Sequence, residues 1–287
     1  MYKTDHFPVM YKEALDALNV QTNELYIDCN LGLGGHTSLL LERGARVIGI
    51  DADHEAIEHC RERFGKELES GTLKILHMNF SKLNEIPLED KVAGILYDLG
   101  LNLGQLKDSA RGFSFHDTGE LDMRMDTTLG VKAIDLIRLL NEDQLSKLIF
   151  EYGEDPQARI FSKAIKIAVK NGKINTPSDL AEVIRKASKY PHSKLHPATR
   201  TFQALRIAVN SELDSLRESL ANAIPLLKTG GRLVIISFHS LEDEIAKSLA
   251  ESQQLISITK KPIEASLDEV EKNPPSRSAK MRIYEKQ

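Results

Sequence analysis

Strand-length apolar runs alternate with helix-length segments through the first hundred residues, and this alternation constrains the fold more than any other feature. Glu24–Asn30 (ELYIDCN), Ala45–Asp51 (ARVIGID), Thr72–Met78 (TLKILHM) and Val92–Asp98 (VAGILYD) are β-prone. Glycines and a helix-like stretch, Thr37–Arg43, fill the first gap. Asp53 is placed to cap a helix running through Glu69, and the polar stretch Ser81–Asp90 fills the third gap. Strands interleaved with helices predict βαβ units and a parallel sheet, whose ligands bind at the carboxyl ends of the strands.

After Asp98 the grammar changes. From Lys107 to Asn210 no convincing β run occurs, and helices are expected over Ala133–Leu140, Glu142–Tyr152, Ala158–Asn171, Ser178–Lys189 and Arg200–Val209. Thr176-Pro177-Ser178-Asp179 is a helix-start signal, and Pro191 and Pro197 punctuate the loop before the last helix. The α/β pattern then resumes. Ser211–Leu227 is amphipathic, Gly230-Gly231 predicts a turn, and Arg232–Phe238 (RLVIISF) a buried strand. Ser240–Ser252 reads as a helix, with Leu255–Thr259 and Lys280–Glu285 as closing strands. The expected architecture is one discontinuous α/β domain, 1–107 and 208–287, interrupted by a helical domain, 108–207.

Charge is unevenly spread along these parts. Pro156–Asn210 holds 11 Lys/Arg against two acids, Asp179 and Glu182, inside a chain whose formal net charge is −4. A basic block in an acidic chain predicts a local polyanion-binding face, with a solvated set of helix faces as the bland alternative. No run approaches the ~20 apolar residues that a membrane helix needs. The first strand-like segment begins near Glu24, so no secretory leader is expected ahead of it. Cys29 and Cys60 are too few and too far apart for a zinc site or a disulfide framework. A reducing cytoplasm and no metal are the expectations.

The chemistry-bearing segment is Asp28-Cys29-Asn30-Leu31-Gly32-Leu33-Gly34-Gly35-His36, at a strand-to-helix junction. Glycines there permit a tight turn and let a ligand approach the amides of the following helix. About twenty residues on, Asp51 ends the second strand, where a carboxylate can accept both ribose hydroxyls of an adenosine. A dinucleotide-binding fingerprint would need Gly or Ala at Thr37, so Gly32-x-Gly34-Gly35 fits a methyltransferase loop better. Phe80, in Asn79-Phe80-Ser81 at the end of strand three, is placed to stack on the adenine or to pack in the core.

Several longer segments carry a resemblance. His6-Phe7-Pro8-Val9, Gly34-Gly35-His36, Tyr97-Asp98-Leu99-Gly100, Arg111-Gly112-Phe113-Ser114-Phe115, Leu121-Asp122-Met123-Arg124-Met125-Asp126, the run His196 to Arg206 (HPATRTFQALR), Ile236 to Asp243 (ISFHSLED) and Arg277-Ser278-Ala279-Lys280 occur in this order. Together they resemble the RsmH (MraW) family of small-subunit (16S) ribosomal RNA cytosine-N4 methyltransferases, over nearly the whole chain. The resemblance implies a class I (Rossmann-like) S-adenosylmethionine methyltransferase sheet with an inserted all-helical domain. It also implies S-adenosyl-L-methionine as cofactor and 16S rRNA within the small ribosomal subunit as partner, with methylation of decoding-region cytosine 1402 in the family's convention. Monomer and homodimer stay open.

By position, the implied cofactor contacts are Gly34, Gly35, His36, Asp51, Phe80, Asp98 and Gln105. Asp98 is the catalytic candidate, accepting from the target amine, from the cofactor's charged end, or from both. Arg111, Arg124, His196, Arg200 and Arg206 are candidate RNA contacts, each with a structural ion pair or packing role as the alternative. Phe113 or Phe115 is a candidate to stack on the flipped base, since Asp98-Leu99-Gly100-Leu101 has no aromatic residue. Ser240, with Asp243 as third-position partner, reads as a helix start. The chain departs from the family where Val-Ser-Ser-Pro is usual before Gln: it has Leu101-Asn102-Leu103-Gly104. That departure keeps a rival in view, a catalytically weak or inactive factor that binds cofactor and rRNA.

Overall fold

The computed structural model describes residues 8–102, 104, 105, 108–193, 195–252 and 254–287. His6, Phe7, Leu103 and the expected boundary at Lys107 lie outside the described residues. Two compact units result: Met1–Gly100 with Leu213–Gln287, and Leu101–Glu212. The division therefore falls several residues outside the expected limits of 108 and 207.

The first unit is built on one sheet. Its parallel strands β1 (Leu25–Asp28), β2 (Arg46–Asp51), β3 (Leu73–His77), β4 (Val92–Asp98) and β5 (Leu227–Ser237) are joined by β6 (Leu255–Ser257), β7 (Ile263–Glu264) and β8 (Lys280–Lys286). The order is β3-β2-β1-β4-β5-β8-β6, with β7 also on β8, and β8 runs antiparallel to β5, β6 and β7. This mostly parallel sheet with an antiparallel strand beside β5 is the class I methyltransferase arrangement. Chain direction across the sheet reverses between β1 and β4, so a crevice opens beyond their carboxyl ends. β1 ends in Asp28, β2 in Asp51 and β4 in Asp98, which sets three carboxyl groups on neighbouring strand tips. The apolar body of β4 is wholly buried, as a central parallel strand requires.

Helices α1 (Tyr11–Leu18), α2 (Gly35–Glu42), α3 (His54–Arg63) and α4 (Gly65–Glu69) belong to the same unit. Asp53 caps α3 as expected, its Oδ1 accepting from the Glu55 N–H at 3.1 Å. The single helix expected through Glu69 is instead broken at Phe64, whose backbone leaves the helical region while its ring enters the core. The expected turn at Gly230-Gly231 is absorbed within β5. Gly230 adopts φ 75°, and three extra residues of β5 bulge opposite β4 between Val92 and Gly94. α1 was not expected, because Met10 at its N-cap, with φ 51°, offers none of the usual capping side chains.

The second unit is helical and has its own core of Leu121, Ile134, Ile137, Leu145, Ile149, Phe161, Ile165, Leu180, Ile184 and Leu205. α5 (Ala133–Leu139), α6 (Glu142–Gly153), α7 (Ala158–Lys170), α8 (Pro177–Ala187) and α9 (Thr199–Asn210) surround it. Asn141 and Gln144 exchange capping hydrogen bonds at 2.9 Å, and Thr176 with Asp179 does the same ahead of Pro177. α10 (Glu212–Leu226) leads back to the sheet unit.

At Gly153 a Cβ would lie 2.5 Å from the Arg200 carbonyl oxygen, because α6 and α9 touch backbone to backbone there. Gly153→Ala is therefore expected to destabilise the protein by roughly 1–3 kcal/mol, the usual cost of overpacking. Denaturant unfolding should show a lower midpoint at unchanged slope; an unaltered midpoint would mean that the helices separate freely.

Candidate cofactor and substrate site

The glycine loop is shaped by backbone geometry before any ligand is considered. Gly32 and Gly34 have φ of 51° and 77°, which glycine alone adopts at no steric cost. A Cβ on Gly34 would stand 2.4 Å from the Phe64 ring and 3.1 Å from Cys60 Sγ; one on Gly35 would meet Pro8 at 3.0 Å. The loop is pinned to β2 by Asp51, whose Oδ2 accepts the Gly32 N–H at 2.7 Å and whose Oδ1 accepts the Asp53 N–H at 2.9 Å. Each carboxylate oxygen keeps a second lone pair, enough to accept two ribose hydroxyls.

Burial pushes the Asp51 carboxyl up to about 6, against the pull of its two backbone donors. The raised value has two opposite consequences between about pH 4 and 6. The folded state holds this proton more tightly than the unfolded chain, so Asp51's contribution to apo stability falls as pH rises. Its capacity to accept two hydroxyls rises as it ionises. Calorimetry with S-adenosylhomocysteine should therefore show affinity falling up to about tenfold per unit below pH 6, and Asp51→Asn should flatten that dependence while making apo stability less pH-sensitive. Parallel pH trends in affinity and apo stability would contradict this assignment.

Asp28 is fully buried and was not anticipated as a site residue. It receives the Thr37 hydroxyl at 2.8 Å and the Asn30 N–H at 3.3 Å. Burial raises its pKa, while nearby His36 acts to lower it. His36 is also buried, with Nε2 3.4 Å from Asp98 Oδ2. Burial alone would lower the imidazole pKa, but Asp98, with Asp28 and Glu269 behind it, outweighs burial and raises it. The pair is close without a well-aligned hydrogen bond: His36 Nε2 and Asp98 Oδ1 are both buried polar atoms lacking a hydrogen-bond partner. Glu269, from α12 (Leu267–Lys272), accepts the Met10 N–H at 2.7 Å and ties the start of the chain to this cluster.

Just beyond β3, Asn79 Oδ1 accepts the Ser81 N–H at 2.9 Å and starts the short turn carrying Phe80. The Phe80 ring is half-buried and meets Tyr97 edge to face, centroids 5.8 Å apart. A relay fixes its backbone: the Tyr97 and Ser219 hydroxyls pair at 2.6 Å, and Ser219 Oγ donates to the Phe80 carbonyl at 2.8 Å. Ser219, 122 residues from Tyr97 along the chain, gave no signal in the sequence.

In the helical unit, Gln105 and Asn102 exchange hydrogen bonds, Asn102 N–H to Gln105 Oε1 at 3.1 Å and Gln105 N–H to Asn102 Oδ1 at 2.9 Å. Each of the two side chains thus holds the other residue's backbone N–H. The arginines divide sharply. Arg111 is buried, donating from Nη2 to the Arg124 and Met125 carbonyls at 3.1 and 2.9 Å. Arg124 grips both oxygens of Asp122 at 2.6 and 2.8 Å and donates to the Thr127 and Leu129 carbonyls. Arg206 forms a bidentate pair with Glu212 at 2.8 and 2.7 Å. These three guanidinium groups thus bond to loops and helices of the protein, the structural role that the sequence leaves open for each beside RNA contact.

Arg200 is exposed, with one donor on the Glu154 carbonyl at 2.8 Å. His196 stacks on Phe115 at 4.7 Å and 22°, with its Nδ1 accepting the Ala198 N–H at 3.2 Å; burial first, then His116 and Arg185, lower its pKa. Phe113 lies in the helical core, and Phe115 packs against that core and meets Phe202 edge to face at 4.7 Å. The helix start expected at Ser240 is shifted one residue. His239 is the N-cap of α11 (Ser240–Ser248), and Glu242, not Asp243, returns a hydrogen bond. Asp243 instead forms a bidentate pair with Arg282 at 2.7 and 3.0 Å.

The donor set in the sheet unit suits S-adenosylmethionine. Asp51 can take the ribose, Phe80 can face the adenine, and the three strand-end carboxyl groups suit a ligand carrying a sulfonium and an ammonium charge. The two orphaned atoms of the His36–Asp98 pair give polar groups at its amino-acid end somewhere to bond. Among the described residues no helix is long and apolar enough to cross a membrane.

Comparison with known proteins agrees with this geometry. A sequence profile of the MraW methylase family matches residues 3–287. The chain is 41% identical over 290 residues to ribosomal RNA small subunit methyltransferase H of Pseudothermotoga lettingae, with 98% of each chain covered. It is 39% identical to the protein of that name from Hydrogenovibrio crunogenus, over 99% of this chain and 97% of that one. Against that from Sorangium cellulosum the identity is 43%, over 96% and 89%. The chain belongs to the MraW methylase family of methyltransferases.

Proposed function

We propose that the protein transfers a methyl group from S-adenosyl-L-methionine to the exocyclic N4 of a decoding-region cytosine of 16S rRNA, within the small ribosomal subunit in the cytosol. The observation that carries this reading is the pair of buried His36 and half-buried Asp98, with an unpartnered buried atom on each side, at the reversal point of the sheet beside the glycine loop and Asp51. The cofactor supplies an electrophilic methyl on a sulfonium leaving group. The residues have to supply alignment. A cytosine N4 lone pair is delocalised into the ring, so attack needs the amine held in line with the carbon–sulfur bond. As the nitrogen–carbon bond forms and the carbon–sulfur bond breaks, the N–H protons turn acidic, and Asp98 accepts from one of them. His36 holds the Asp98 carboxylate in place. Asp51 orients the ribose, Gly34 and Gly35 admit the cofactor to the backbone, and Phe80 flanks the adenine. Gln105 lies in the helical unit and is assigned to the cofactor by family position alone. Arg200 and His196 are assigned to the RNA.

The reciprocal Asn102–Gln105 bonds support the catalytic reading over that of an inactive factor, since the residue that departs from the family pattern, Asn102, is bonded to Gln105. Nucleoside mass spectrometry of ribosomal RNA from cells with and without the protein is the test. Loss of N4-methylcytidine at one site is expected; an unchanged nucleoside profile would sink the reading.

A further inference from the structure

The face of α7 turned to solvent carries a row of cations with no counterions among the described residues. The helix, ARIFSKAIKIAVK, contains no acid, and Arg159, Lys163, Lys166 and Lys170 recur at spacings of four, three and four residues. At 3.6 residues per turn these positions fall within about 60° of arc and extend about 17 Å along the axis. Ala158, Phe161, Ser162, Ile165 and Ala168 form the opposite, buried face. One of the four cations is used internally: Lys166 Nζ donates to the carbonyls of Ile137, Arg138 and Leu140 at 2.9, 3.1 and 2.6 Å and closes the end of α5. The other three are exposed, and among the described residues no carboxylate lies within ion-pair distance of their heads. Neighbouring helices differ. On α8, Arg185 and Lys186 share Glu182, and on α6 Lys147 faces Glu151.

We propose that Arg159, Lys163 and Lys170 form a docking surface for the sugar–phosphate backbone of RNA, the partner that an acid-free cationic row on an otherwise acidic protein fits. Like charges four residues apart weaken a helix, and a polyanion lying along the row removes that repulsion while releasing its own counterions. The row carries no groups suited to reading base edges bidentately except Arg159, so it sets register and orientation and leaves base choice to the methyl-transfer site. This inference rests on the proposed rRNA methylation and says which surface of the helical unit holds that substrate.

The test uses the full chain with Arg159→Gln, Lys163→Gln and Lys170→Gln together, and as probe small ribosomal subunits lacking the modification. Subunit binding is followed across a salt series, with labelled methyl transfer and calorimetric S-adenosylhomocysteine binding in parallel. The logarithmic salt slope should become shallower by about two, at ~0.7 per lost single-strand phosphate contact. KM for subunits should rise about tenfold or more with cofactor affinity unchanged, and the charge-retaining set Arg159→Lys, Lys163→Arg and Lys170→Arg should restore both. An unchanged slope and KM in a folded triple variant would overturn the docking surface. Absence of methyl transfer by the unaltered protein would instead count against the activity itself.

Discussion

Replacement of Asp98 by alanine is expected to lower methyl transfer roughly a thousandfold. Asp98 is the last residue of β4, one side-chain oxygen 3.4 Å from His36 Nε2 and the other buried without a partner. If that free oxygen accepts from the target amine or the cofactor's ammonium group, its removal forfeits charge-assisted hydrogen bonds at about 1.5–3 kcal/mol each. Two such bonds, near 4 kcal/mol, correspond to about three decades in rate. His36 provides a second readout. With Asp98 gone, burial is the leading influence left on the imidazole, so its pKa should fall in an NMR titration from its raised position. Asp98→Asn should retain the shape and lose about ten- to a hundredfold, because a neutral amide accepts more weakly. Alanine variants retaining activity within threefold would remove Asp98 from the chemistry, whatever the imidazole does.

Gly34→Val should combine a loss of stability with a loss of cofactor binding. The left-handed backbone at φ 77° costs an L-residue roughly 1–2 kcal/mol, and overlap with the Phe64 ring and Cys60 adds about 1–3 kcal/mol. Phe64 cannot swing clear cheaply, because it is buried in the sheet unit's core and breaks the helix between α3 and α4. The branched side chain would also push the loop from its Asp51 anchor. Affinity for S-adenosylhomocysteine should drop more than a hundredfold at temperatures where the variant is still folded. A stable variant that binds normally would show that the loop's glycines serve only the turn.

The apolar periodicity of the first hundred residues was sufficient to place four strands, since parallel strands buried on both faces read as uninterrupted apolar runs. Capping signals did the same for the helices, as at Asn141 and Thr176. Short elements escaped: two-residue β7 has too few positions for any period, and α1 starts from a left-handed methionine. Local pattern also misjudged Gly230-Gly231, where pairing with β4 carried the strand through a bulge rather than ending it.

Residue type and order alone determined the sheet, the glycine loop before Asp51, and Asp98 at a strand end, because each depends on neighbours within a few positions. Only the tertiary structure decided how charges were spent. Arg111, Arg124 and Arg206 look in sequence like the cations of α7, yet they bond to carbonyls and to carboxylates brought near by folding, while Arg159, Lys163 and Lys170 have no counterion among the described residues. The physical reason is that an ion pair is a matter of a few ångströms in space, and side chains contributed by different segments meet only once the core has packed.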